Sequence, residues 1–543
     1  MNADRPTRPT RPQIQIDGST RPTRRGFAQR FVSMLALSLV LAAGLLLPGC
    51  AGGGDAEQPA PAPADDEAEA PAAQPSELRW GASAEIDSLD PYLAVGGDTR
   101  GILWNVFEGL LKSDQTGDIK PALAQDVEIQ QEGKVYVLHL RAGVKFHNGN
   151  EVTPADVRYS FDQALKAGAV YAGFEQVESV DVADDGTITI TLTEANTEFL
   201  VSLTNPIIPA DYADQASAPV GTGPFKFASY TPQQELVLEA NPDYWQEGLP
   251  HLTKLTVVFA ADDNATVTSL KSGNIDGAGI AASNAVDLDL GQYNIVERNS
   301  NAVQQLSLNN SYEPLADVRV RQALNYAVNA DEIIEKAFFG YGTPVGTPLI
   351  PGLSKYYNAS LTSAYTPDVE KATQLLAEAG YPDGFDLEIA VPSNYQVHVD
   401  TAQVIVEQLK AIGVNATIKQ VDWPTWLEDV YTNRNYQATV VSVGGASLSP
   451  GAELARFRSD AEDNFYNFVS PAFDAIYDQA VATTDDAAKV ELYKEVQQII
   501  SDEAASVFIQ DIAGLSALQK DFDGLVGYPL YGVSDFSLIK RAS

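Results

Sequence analysis

The sequence predicts a mixed α/β fold of more than one domain. Stretches that alternate apolar and polar residues with period two, each closed by a turn signal, are interleaved with stretches carrying an apolar stripe at helical spacing. Roughly 460 residues of ordinary globular composition follow the last low-complexity segment, which is chain enough for two or three domains.

The elements follow in order. In "KVYVLHLRAGVKFHNGNEVTPADVRYSFDQAL", Tyr136, Leu138 and Leu140 alternate with Val135, Val137 and His139, so the two sets face opposite sides of a strand. Asn148-Gly149 signals a tight turn. Thr153 and Pro154 then read as the N-cap and first residue of a helix. "ADDGTITITLTE" predicts a hairpin that turns at Asp185-Gly186 and puts Ile188, Ile190 and Leu192 on one face. In "DVRVRQALNYAVNADEIIEKAFFG", Val320, Leu324, Ala327 and Val328 form one apolar stripe. Asn329 and Glu332 have the spacing of a capping box for the next helix, which Gly340 can end. "TPDVEKATQLLAEAGYPDGF" predicts a helix capped by Thr366, with Pro367 next and Gly380 as its stop. "TAQVIVEQLKAIGVNATIKQV" puts Ala402, Ile405, Leu409 and Ile412 on one helix face, ends at Gly413 and continues as a strand. No internal repeat is present.

Ahead of these elements lies a different kind of chain. An arginine-rich opening leads into "FVSMLALSLVLAAGLLLPG", with no charge from Phe31 until Asp55. A basic region, an apolar core and small residues at a boundary make a secretory signal. The core, Phe31 to Leu47, is marginal for a membrane span, which needs about 20 residues. Leu47-Pro48-Gly49-Cys50 resembles the lipobox of bacterial lipoproteins, with Pro48 departing from the usual small residue. The resemblance implies lipidation of Cys50, the only cysteine in 543 residues, as the new N-terminus. The bland alternative is an uncleaved membrane anchor with an incidental cysteine. Either way the rest of the chain is extracytoplasmic, and a lone cysteine excludes an intramolecular disulfide. Thr23-Arg24-Arg25-Gly26-Phe27 resembles a twin-arginine export signal, and an ordinary arginine-rich leader explains it equally. Residues 50–76 are nearly all Ala, Pro, Gly, Asp and Glu, without an aromatic or β-branched residue. They are expected to form a disordered tether.

Charge narrows the partners. The chain has 35 basic and 73 acidic residues; removing the 7 Arg and 2 Asp of the first 49 leaves 28 and 71, a net charge of −43. Such a surface repels nucleic acid and anionic headgroups.

"LHLRAGVKFHNGNEVTPADVRYSF", "VGTGPFKFASY", "NPDYW", "LKSGNIDGA", "LADVRVRQALNYAVNADEI" and "KATQLLAEAGYPDGF" together resemble, in order, the extracellular solute-binding proteins of ABC importers, family 5, the peptide/nickel/opine type. The resemblance runs from about Leu78 to the C-terminus. It implies an α/β, two-lobed periplasmic-binding-protein-like fold, of the large peptide-binding type II, with an extra domain inserted in the first lobe. The expected division is signal 1–49, tether 50–76, first lobe 77–110 with 218–300 and 510–543, inserted domain 111–217, and second lobe 301–509. The implied function is a lipid-anchored receptor, monomeric, that traps a peptide or an oligosaccharide and delivers it to the permease.

No catalytic residues, metal ligands or cofactor are expected. The histidines, His139, His147, His251 and His398, do not pair at ligand spacing. "GYGTPVG" fails as a dinucleotide loop, because Val345 stands in the third glycine's place and Pro344 interrupts the turn. No G-x-S-x-G is present. Gly221-Thr222-Gly223-Pro224 reads as backbone structure rather than a phosphate nest. The rival readings are an acidic extracellular hydrolase and a binding protein that signals to a sensor.

The informative stretch is "QATVVSVGGASLSPGAELARF". Peptide-binding members usually read Trp-x-x-Asp-x-x-acid-Pro here, the Asp taking the peptide's ammonium group. This chain has Val443, Ala446 and Ser449 at those places, before Pro450. A buried ammonium without its carboxylate costs about 3–5 kcal/mol, so an α-amino anchor is not expected. The resemblance implies ligand contacts at Gly444, Gly445, Ala446, Ser447, Leu448 and Ser449, with Trp423 as a stacking face and Asn309-Asn310 nearby. Val95, Gly96 and Gly97 are expected to face them from the first lobe. Trp426 is read as a core residue.

Overall fold

The computed structural model describes residues 76–168, 173–183, 185–444, 448–529 and 533–542, all within one compact unit, Ala73–Ser543. The proposed signal, Cys50 and the tether up to residue 75 lie outside the described residues, as do Gly445, Ala446 and Ser447.

One long sheet forms the spine. Its strands are β1 (Glu77–Ala82), β2 (Phe225–Thr231), β3 (Glu235–Ala240), β4 (Lys254–Phe259), β5 (Gly277–Ile280), β6 (Tyr293–Leu308), β7 (Asp386–Pro392), β8 (Asn415–Val421), β9 (Ala438–Val443) and β10 (Ser506–Gln519). They lie in the order β8-β7-β9-β6-β10-β5-β1-β4-β3-β2, and a short strand at Thr343–Pro344 adds to β10. β1 runs parallel to β4 and β5, and β7 runs parallel to β8 and β9. Parallel neighbours need crossovers, and helices such as Asp263–Lys271 and Gln396–Lys410 supply them.

β6 and β10 make this sheet two-lobed. They are the longest strands, 16 and 14 residues, and are paired antiparallel through the middle of the sheet. One half of the pair lies against β5 and the other against β9. Each lobe has its own core. Leu78, Trp80, Leu236, Leu255 and Val257 belong to the first. Leu306, Leu324, Ile389, Ile405 and Val440 belong to the second. The two lobes are joined by this pair of strands and also meet where Glu198 pairs with Lys489.

The sequence-predicted hairpins form a separate four-stranded antiparallel sheet, from Ala124–Gln130, Val135–Leu140, Thr187–Leu192 and Val177–Val182. Tyr136, Leu138, Ile188, Ile190 and Leu192 are buried in it, as the alternation requires. The helix Pro154–Ala167 starts at Thr153, whose backbone N–H donates to Asp156 Oδ2 at 2.8 Å. Asn329 caps Ala330–Phe338 by accepting from the Glu332 N–H at 3.1 Å. One cap differs from expectation. The helix Val369–Glu378 is capped by Asp368, which accepts from the Lys371 N–H at 2.9 Å, and not by Thr366. The Thr366 hydroxyl instead bonds the Ser363 carbonyl, which leaves Pro367 ahead of the helix. A carboxylate at a helix N-terminus also gains from the macrodipole, which a hydroxyl does not.

Where β6 and β10 pass between lobes their pairing breaks. Asn299 pairs with Ala513 and Val303 with Asp511, so residues 300–302 bulge out of the ladder. Asn301 sits in the left-handed region at φ 52°, which asparagine tolerates better than most residues. The Asp511 carboxylate holds the bulge. It accepts from Asn299 Nδ2 at 2.6 Å, Ser300 N at 3.2 Å and Ala302 N at 3.4 Å. Gly444, just beyond β9, packs on the same backbone; a Cβ there would lie 2.0 Å from the Asn301 carbonyl oxygen.

Burial pushes Asp511 up to about 6, against the opposing effect of the Asn299, Ala302 and Ser300 hydrogen bonds. Between roughly pH 4 and 6 the folded chain therefore keeps a proton that the unfolded chain has released. Its contribution to stability falls as pH rises through that window. Asp511→Asn is expected to remove this slope, a relative change of about 3 kcal/mol between pH 4 and pH 7, on top of any uniform loss. Urea unfolding of both proteins across that range checks it.

Candidate ligand-binding site

The asparagine bulge also floors a cleft of about 480 Å³. One wall comes from α1 (Gly97–Leu103) and the segment after it, through Gly97, Arg100, Trp104, Phe107 and Lys112. Thr204, Asn205, Pro206 and Val533 extend that wall. Ser300, Asn301 and Ala302 form the floor, and Ser442 and Gly444 mark the second lobe's side. The size and mixed lining suit a small organic ligand. The same three residues of the floor are the break in the crossing strands.

Local structure positions the first wall. The Val95 and Gly96 N–H groups both donate to Asp87 Oδ2 at 2.8 Å, and the Asp87 N–H donates to Thr99 Oγ1 at 3.2 Å. Burial would raise the Asp87 carboxyl, but the Thr99, Gly96 and Val95 hydrogen bonds hold it below its ordinary value. This loop aims α1 so that Gly97, Arg100 and Trp104, at helical spacing, share the cleft face.

Glu108, on the same wall, is buried. It accepts from Tyr244 Oη at 2.8 Å, Trp245 Nε1 at 2.9 Å and Thr222 Oγ1 at 3.2 Å. Burial raises its carboxyl despite Lys112 and those donors. With both oxygens taken, it anchors the wall and is not poised as an acid or base. Across the floor, His398 lies between Gln304 Nε2, 3.0 Å from its Nδ1, and the Ser442 N–H, 3.3 Å from its Nε2. Burial lowers His398 to about 4, so the ring is neutral near pH 7. Among the described residues no group of three or more His, Cys, Asp or Glu could hold a metal ion.

A profile of the bacterial extracellular solute-binding proteins, family 5 (its middle part), matches residues 118–465. The chain belongs to this family. It is similar to heme-binding protein A of Haemophilus influenzae, 31% identical over 77% of this chain and 84% of that protein. It is similar to the glutathione-binding protein GsiB of Pectobacterium atrosepticum, 29% identical over 83% and 92%. Among solved structures it resembles HbpA2 from Haemophilus parasuis, with a TM-score of 0.78 at 25% identity over 86% of this chain and 100% of that one. The two-lobed fold of this family is the one described above.

Of the residues expected from sequence to meet ligand, Gly97 and Gly444 line the cleft. Val95 is 63% exposed and Gly96 caps α1; neither lines it. Asn309 and Asn310 are committed to the second lobe's own backbone. Asn309 Nδ2 donates to the Tyr436 carbonyl at 2.8 Å, and Asn310 Nδ2 to the Leu308 and Ala505 carbonyls at 3.0 Å. Trp423 stacks on buried Trp426 at 5.0 Å, and the Trp426 Nε1–H donates to Thr439 Oγ1 at 2.9 Å, so the pair packs within the second lobe. Leu448 is buried in that lobe's core. Ser449 caps α2 (Pro450–Ala455) and bonds Glu198 Oε2 at 2.6 Å. Gly445, Ala446 and Ser447 lie outside the described residues. Arg100, Trp104, Lys112 and Ser300–Ala302 were not expected from sequence.

Proposed function

We propose that the chain is the extracytoplasmic solute receptor of an ABC importer. It holds a small solute, a peptide or a non-peptide such as an oligosaccharide, between its lobes and presents the closed form to the permease, without a chemical step. The observation that supports this reading is the cleft's floor: Ser300, Asn301 and Ala302 line the cleft and are also the break in the strands that join the two lobes. Family membership supports it, and relatives named for heme and glutathione show that ligand chemistry varies within the family. The small, neutral loop at Val443, Ala446 and Ser449 weighs against an α-amino anchor. Native mass spectrometry of the purified protein is expected to show one small molecule bound per chain, released on denaturation. A chain that carries none and binds none of a broad panel of peptides, sugars and organic acids would contradict the reading.

The reading includes a lipid anchor at Cys50, a tether over residues 50–76 and a monomeric receptor. A short tether keeps the receptor at high effective concentration near a membrane-bound permease. Cys50→Ala is expected to leave the protein unprocessed or released from membranes, which fractionation and intact-mass analysis check. A processed, fully membrane-bound Cys50→Ala product would rule the anchor out.

A further inference from the structure

We propose that the cleft selects a small organic anion, with a ligand carboxylate held by Arg100. This rests on the reading of the chain as a solute receptor and goes on to say what chemistry the solute carries. The charged residues lining the cleft are Arg100, Lys112 and Glu108, in a chain whose net charge is −38. Glu108 is already satisfied by its three donors. Lys112 stands 3.9 Å from both Glu108 and Asp535, and 5.3 Å from the Trp104 ring centroid. Arg100 differs from both. Among the described residues its guanidinium makes no hydrogen bond or ion pair, although it is half-buried.

Other arginines are engaged within the protein: Arg141, Arg158, Arg321 and Arg434 donate to backbone carbonyls. Arg79, Arg319 and Arg458 each pair with an aspartate. Arg100 is kept apart from them on the wall of a cleft. One turn further on, Trp104 has its indole N–H buried without a hydrogen-bond partner. Both groups can only donate, so together they call for acceptor oxygens that the protein does not supply. A planar carboxylate matches the guanidinium fork, and the charge assists the bond. The Trp104 ring offers an apolar face to the ligand's carbon frame. The neighbouring residues of the floor and the far side, Ser300, Asn301, Ala302, Ser442 and Gly444, bring no negative charge to oppose it.

Calorimetry on the full chain tests this, with glutarate, citrate and reduced glutathione as probes and glutaramide, xylotetraose and an N-acetylated dipeptide amide as uncharged controls. At least one carboxylate is expected to bind, more weakly as salt is raised, while glutaramide does not. Arg100→Gln is expected to weaken that carboxylate about 10- to 100-fold, the range for losing a charged hydrogen bond. Arg100→Lys should restore part of it, and circular dichroism should show both variants folded. Carboxylate affinity within twofold of wild type in Arg100→Gln overturns the proposal. So does a panel in which only uncharged solutes bind, a result that would leave the receptor reading standing. If nothing in either class binds, this proposal fails, and the receptor reading is decided separately by the solute that mass spectrometry does or does not find.

Discussion

Glu198→Ala is expected to destabilise the folded chain by about 3–5 kcal/mol, the range for stranding a buried charge. Glu198 lies in the turn of helix Thr197–Thr204, next to the four-stranded sheet, and pairs with Lys489 of α3 (Asp486–Asp502) in the second lobe. Only 8% of the lysine side chain and 11% of the glutamate are exposed. The network reaches further. Glu198 Oε2 accepts from Ser449 Oγ at 2.6 Å and from the Gly451 N–H at 3.4 Å, while Lys489 Nζ donates to Thr197 Oγ1 at 2.7 Å. Removing the carboxylate leaves an ammonium with one neutral oxygen, and leaves the Ser449 hydroxyl and the Gly451 N–H without this acceptor. Removing both charges is a smaller insult, because the desolvation of the lysine is then no longer carried. Glu198→Leu combined with Lys489→Met is therefore expected to recover at least half of the loss. Urea midpoints of the wild type, the single variant and the double variant check this. A loss below about 1 kcal/mol for Glu198→Ala, the scale of exposed pairs, would show that water reaches the pair.

Trp104→Ala is expected to cut solute affinity at least 30-fold, since aromatic anchors in desolvated pockets carry about 2 kcal/mol or more. Trp104 lines the cleft and is braced from behind by Tyr528, with ring centroids 6.2 Å apart, and by Lys112. The indole is half-buried and outside the main core, so thermal stability without solute should change little. Affinity by calorimetry and melting temperature on the same samples separate the two effects. Unchanged affinity would place the solute elsewhere.

The local elements were legible because their signals are local. Alternation at Tyr136–Leu140 and Ile188–Leu192 marks a buried face whatever the partner strands are. Caps are nearly as readable, and the shift from Thr366 to Asp368 shows the limit: two capping residues two positions apart compete, and the carboxylate wins by charge. The crossing of β6 and β10 had no such signal, since the strands pair residues some two hundred positions apart and the bulge is a property of both. The cleft was half legible. Gly97 came from its place after the "LDP" stretch and Gly444 from motif position, but Asn309, Asn310 and Trp423 find their partners inside the second lobe, which a motif cannot reveal. Arg100 and Trp104 did leave a trace. Their i, i+4 spacing puts a cation and an aromatic on one face of a short helix, in a segment that otherwise reads as buried core.

The most direct test is the distance between the lobes with and without solute. Nitroxide labels at Val95→Cys in the first lobe and Leu427→Cys in the second, both exposed positions, in a Cys50→Ser background, report it by pulsed electron resonance. Saturating the cleft with the solute identified by mass spectrometry is expected to move the distance distribution to a shorter, narrower one, and Trp104→Ala should need far more solute for the same shift. A solute that binds while the distribution stays unchanged would contradict lobe closure about the Ser300–Ala302 bulge.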